Sequence, residues 1–183
     1  MSPNELHRFR TTDSFDDVAE AFGQHIDSNE PLELLIRGHL WIESALTSLV
    51  QRSLPRPRAI EKAGLSFNQR LLLADALGLL DEDEARVMRQ INQLRNRAAH
   101  RLHDLPREED QAQLLGSCSE RLRHIAGVDP KRSEFPKGLA QIIATLVIIL
   151  HRKIDDLDAS RRYSVHLHQR VEALRARLRT NTR

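Results

Sequence analysis

Residues 82–102 read EDEARVMRQINQLRNRAAHRL, and the spacing within them decides the fold class. Val87, Ile91, Leu94 and Ala98 recur at intervals of four, three and four, the period of one helix face. Glu82, Asp83 and Glu84 form an acidic first turn that suits the positive end of the helix dipole. At about 100° per residue, Asn92, Asn96, His100 and His103 fall on the side away from that stripe. Asn96 and His100 are neighbours one turn apart, and Arg95 lies on the flank, where its stem can pack while its guanidinium reaches outward. Asparagine is a poor helix former, so two of them followed by His have two readings. Either they mark a polar site, or they form a solvated face near a helix end, where His and Arg suit the dipole.

The same period extends in both directions, and no run alternates with the period of a strand. Upstream, Phe15, Val18, Ala19, Phe22 and Ile26 predict a helix over 13–26, capped by Thr12 or Asp13. A second helix is predicted over 31–53, opened by Pro31 and striped by Leu35, Ile42, Leu46, Leu49 and Val50, with His39 on the same face. The segment Leu54-Pro55-Arg56-Pro57-Arg58 breaks it, since neither proline has an N–H for the helical ladder. A short segment leads to Gly64, and Ser66 can cap a helix over 67–80.

Downstream, Pro106 stands at a predicted first helical position for a helix ending near Gly127, and Pro136 opens another through about 157. Leu167, Val171, Leu174 and Leu178 then form a narrow seam flanked by Arg170, Arg175, Arg177 and Arg179. Such a seam is too short to hold alone and calls for a partner surface. The pattern as a whole predicts an all-α, up-down helical bundle over 13–158 with a basic amphipathic extension over 160–183.

Composition narrows the function classes. Aromatics are 4% of the 183 residues, which disfavours base-stacking platforms of the RRM or OB kind. A single cysteine, Cys118, excludes an internal disulfide framework and a multi-cysteine zinc site, and it reads as a small buried residue in a reducing setting. Neither GxGxxG nor GxxxxGK[ST] occurs, so no Gly-rich phosphate cradle is encoded. The longest apolar run, LAQIIATLVIIL at 139–150, is 12 residues, short of the roughly 20 that a membrane span needs. It predicts a helix buried on several sides, while Trp41 is a candidate for the core or a dimer interface. The start, MSPNELHRFRTTDSFDD, lacks the apolar centre of a signal peptide, and a cytoplasmic location is the expectation.

Net charge is +2, but seven Arg against one Glu from Ser160 onward give that segment +6 and leave −4 for the rest. A basic tail on a mildly acidic body suits nucleic acid, an acidic partner, or simple solvation. Glu43, four residues after His39, is expected to pair with an arginine or to support the polar face of 82–102; His39, sharing an apolar stripe, is expected to be a satisfied core histidine.

The stretch Leu94-Arg95-Asn96-Arg97-Ala98-Ala99-His100 resembles the signature of the HEPN superfamily: Arg, a polar residue often Asn, then a spaced His. The upstream HLWIESALTSLV, which contains Glu43, and LSFNQRLLLADALGLLDEDE stand in the order seen in the mannitol-operon repressor family and related HEPN-like bundles. The resemblance covers about 32–157 and leaves out the basic tail. It implies a homodimer whose two signature helices meet in one composite site. It also implies a metal-independent endoribonuclease without cofactors, acting as a toxin or defence effector and using the RNA 2′-hydroxyl as nucleophile.

On that resemblance His100 is the acid/base, Arg95 holds the phosphate, and Asn96 orients the histidine or the phosphate. Arg97, Arg101 and His103 are then candidates for substrate contact, with Glu43 in support and no metal. About 140° separates positions 95 and 100 on one helix, so Arg95 is expected to work beside the His100 of a second copy. The other reading the resemblance allows is a non-catalytic regulator like the mannitol repressor, binding a protein or nucleic acid; an antitoxin or regulatory protein is then a further partner.

Overall fold

The structure, a computed structural model, describes residues 23, 30–100 and 105–180. The helix predicted over 13–26 lies outside the described residues, apart from Gly23. Among those described there are seven helices and no strand: α1 (Pro31–Ser53), α2 (Pro57–Lys62), α3 (Phe67–Ala76), α4 (Glu82–His100), α5 (Glu108–Ser117), α6 (Glu120–Ala126) and α7 (Lys137–Thr180). None is long and apolar enough to cross a membrane. The chain is an all-α helical bundle.

The two longest helices make the frame. Gly38 lies against Ile143, Arg52 pairs with Asp158, and Arg161 donates to the Leu54 carbonyl at 3.3 Å. These contacts advance together along both helices, so α1 and α7 run parallel. Helix α4 runs the opposite way, with Asn92 beside His39 and Glu84 2.9 Å from the Lys153 ammonium. Leu35, Ile42, Leu46 and Leu49 from α1, Met88 and Ile91 from α4, and Ile142, Ile143, Leu146 and Leu150 from α7 are buried in one core. The 139–150 run is thus covered on several sides as its composition requires, and Trp41 belongs to the core.

Gly38 sets how closely α1 and α7 approach. A Cβ at that position would stand 2.6 Å from Ile143 Cγ2 and 2.8 Å from its Cδ1. Gly38→Ala gains helix propensity of about 1 kcal/mol but forces the two helices apart. The expected net is a loss of about 1–2 kcal/mol in denaturant unfolding; a more stable Gly38→Ala protein would contradict this packing.

Four boundaries differ from the spacing-based expectation. The helix predicted over 67–80 stops at Ala76, because Gly78 takes a left-handed conformation (φ 67°). There the Leu79 N–H returns to Ala74 at 3.0 Å and the Gly78 N–H to Asp75 at 2.9 Å, a Schellman closure. The single helix predicted to end near Gly127 is two helices, and Pro106 precedes the N-cap Arg107 instead of opening α5. Cys118 is extended between them, and Ser119 caps α6 by accepting from the Leu122 N–H at 3.1 Å. The Asp83 carboxylate of α4 fixes this break by accepting from the Ser119 N–H at 3.1 Å and from its hydroxyl.

The last bundle helix does not end near 157. Helix α7 continues without interruption through Thr180, so the basic segment is a prolongation of a core helix. Its 44 residues span about 66 Å at about 1.5 Å rise each. Neither Gly nor Pro occurs after Gly138 to stop it.

Candidate functional site

A polar cluster lies where α1, α3 and α4 meet. The first turn of α3 is set by Ser66, whose hydroxyl accepts from the Gln69 N–H while the Gln69 side chain accepts from the Ser66 N–H at 2.9 Å. That cap aims Phe67 and Arg70 at α1. The Phe67 ring is buried against the His39 imidazole, centroids 4.6 Å apart. Arg70 donates to Glu43 at 2.8 Å and to the Thr47 hydroxyl at 3.1 Å, and also to the Leu65 carbonyl. Glu43 therefore pairs with an arginine, one of the two roles its position suggests.

His39 is 2% exposed and bonds Asn92 Oδ1 through Nε2 at 2.9 Å. The Asn92 amide nitrogen donates onward to Asn68 at 3.0 Å, so its oxygen is the acceptor and Nε2 of His39 carries the proton. Nδ1 is buried without a hydrogen bond; the nearest carboxylate oxygen, Glu43 Oε2, is 3.9 Å away. His39 is thus a core histidine bonded at one ring nitrogen. Burial lowers its pKa, against the opposing pull of Glu43 and the Asn92 bond and with help from Arg95.

The surface of α4 is broader than its four-residue stripe suggests. Ala85, Met88 and Asn92 are buried together with Val87, Ile91 and Ala98. Asn92, expected on the polar side, instead faces the interior, where it bonds His39 of α1 and Asn68 of α3. One turn beyond it, Arg95 and Asn96 are half-buried, with the guanidinium donating to Asn96 Oδ1 at 3.0 Å. By helical register Asn92, Asn96 and His100 form one ridge that runs from the buried anchor outward to the last turn of α4.

Arg97 does not join this ridge. It lies on another face of α4 and pairs with Asp110 of α5. The His100 side chain, Arg101 and His103 lie outside the described residues. Sequence spacing missed Asn68, Phe67 and Arg70; the only local signal for them is the Ser66 cap, which fixes where α3 begins. Among the described residues no group of three or more His, Cys, Asp or Glu is placed to hold a metal ion. Cys118 is buried and its thiol pKa is raised to about 11, by burial first and then by Asp83.

Two histidines tie stability to pH. Burial lowers the pKa of His39, beside Glu43 and Arg95, and of His151, beside Asp155 and Arg52. The unfolded chain then binds protons that the folded one rejects, so stability is fully present above about 6.5 and declines as pH falls below it. Denaturant midpoints taken between about pH 7.5 and 5.5 should fall on acidification, and the slope should lessen in His151→Gln. A midpoint that rises on acidification would contradict the burial of both rings.

Compared with protein-family models, curated proteins and solved structures, the chain finds no match.

Proposed function

We propose that the chain is a metal-independent endoribonuclease of the HEPN type, acting as a toxin or defence effector at a site shared by two copies. The observation that supports this reading is the anchored ridge of α4. Arg95 and Asn96 are joined to each other and half-exposed, one turn from the buried His39–Asn92 bond that fixes the rotation of the helix. An arginine held this way offers a fixed fork of donors to a phosphodiester. His100, one turn on in the sequence, supplies an imidazole that can take or give a proton.

In the reaction the RNA 2′-oxygen attacks phosphorus and the bond to the 5′-oxygen breaks, leaving a 2′,3′-cyclic phosphate and a free 5′-hydroxyl. His100 takes the 2′-hydroxyl proton or delivers one to the departing oxygen. Arg95 offsets the charge that grows on the non-bridging oxygens, and Asn96 holds its guanidinium in place.

The second reading is a non-catalytic regulator resembling the mannitol-operon repressor, and the exposed basic length of α7 favours it. Purified full-length protein incubated with labelled RNA in excess chelator separates the two. Cleavage to cyclic-phosphate ends that disappears in His100→Ala supports the nuclease. RNA left intact at high protein concentration favours the regulator.

A further inference from the structure

From Arg162 to Glu172 every residue of α7 is exposed, and the Arg161 bond to Leu54 marks where the helix leaves the bundle. This free length is not uniformly polar: Tyr163, Leu167 and Val171 are 69%, 48% and 38% exposed, and Val165, on the opposite side of the helix, is 59% exposed. On the helix the first three fall along one line, which Leu174 and Leu178 continue in the sequence. The line follows a heptad register, with Ser160, Leu167 and Leu174 at d and Ser164, Val171 and Leu178 at a. Val171 at a between Leu167 and Leu174 at d suits a two-stranded pairing.

The flanking positions decide with what. Positions e are Arg161, His168 and Arg175, and positions g are Tyr163, Arg170 and Arg177; none is acidic. A parallel pair of two such helices would set Arg170 against the Arg175 of a second copy, and an antiparallel pair would set e against e and g against g. Each arrangement of like helices opposes positive charge to positive charge. The seam is also narrow, about 80° wide with arginines on both shoulders, and lacks the broad apolar face and the Trp and Phe of helices that lie on membranes. Nucleic acid would use the arginines and leave the leucines without a role.

We infer that the free length of α7 is one strand of a heterotypic coiled coil, whose partner is an amphipathic helix with Glu or Asp at its e and g positions. This inference does not depend on the ribonuclease reading. Charge selects the partner and the apolar seam holds it, so binding is both salt-sensitive and leucine-dependent.

The test uses the full-length protein and two synthetic helical peptides of three heptads, both with Val at a and Leu at d. One carries Glu at every e and g position and the other Lys. Titration calorimetry in moderate salt should show the Glu peptide binding at least about tenfold more tightly than the Lys peptide. Leu167→Ser with Val171→Ser keeps the charge and alters only exposed side chains; it should weaken the Glu peptide at least about tenfold without moving the melting temperature. Equal binding of the two peptides, or none, would overturn the inference. So would a serine variant that binds as well as the parent, the behaviour of a charge-only surface for RNA or anionic vesicles. Self-association of the parent that is lost in the serine variant would assign the seam to a second copy.

Discussion

Asn92→Ala is expected to lower the unfolding free energy by about 2–3 kcal/mol, a large share of a domain's usual 5–15 kcal/mol. The substitution removes little apolar contact. Its cost comes from the imidazole of His39, already unpartnered at Nδ1, which would then be buried with neither ring nitrogen bonded. The Asn68 side chain is exposed and can turn to water, so it adds little. The companion variant His39→Leu with Asn92→Leu removes both partners and should recover most of that stability, because an apolar pair leaves nothing unsatisfied. If Asn92→Ala unfolds at the same denaturant concentration as the parent, the bond from α1 to α4 is not holding the helix. Under the proposed function the double leucine variant should still fold yet cleave RNA more slowly, as Arg95 and Asn96 would have lost the anchor that orients their turn.

Why was Asn92 not legible as an interior residue? The four-residue stripe of α4 was readable because its apolar residues recur with helical period. The second buried flank, Ala85, Met88 and Asn92, emerges only once the neighbouring helices are in place, with Asn92 between His39 of α1 and Asn68 of α3, and α3 is positioned by the Ser66 cap and the Gly78 stop. Leu77 and Leu79 extend the apolar pattern of α3, so spacing carries the helix past the glycine that ends it. The break between α5 and α6 depends on Asp83, 36 residues before Ser119, a contact no local window contains. Helix α1, by contrast, was legible to the residue, since Pro31 and the Leu54-Pro55 stop act through the backbone alone.

The continuity of α7 was legible in principle. The switch to basic residues at Ser160 changes what the helix meets, but charge composition does not interrupt a hydrogen-bond ladder as Gly or Pro does. Of the candidate site, the residue types on α4 were visible and their support was not. Glu43 shows its arginine only once Arg70 is placed beside it by α3.

The largest effect on activity is expected at the outer end of the ridge. Arg95→Ala and His100→Ala should each reduce RNA cleavage by roughly 10²–10⁴-fold. Arg95 is half-exposed and donates to its neighbour Asn96, so its loss should change the denaturant midpoint little. A drop in cleavage that tracks a drop in folded fraction would point to scaffolding instead of chemistry.

The most direct measurement mixes the two inactive proteins. If Arg95 of one copy works beside His100 of the other, a dimer of Arg95→Ala with His100→Ala contains one site with both groups intact and one with neither. Refolded together in equal amounts, the variants should regain about a quarter of parental cleavage, since about half the dimers are mixed and each has one working site. A mixture as inert as either variant alone, beside a parent that cleaves, would contradict the shared site; a parent that leaves RNA whole would contradict the nuclease itself.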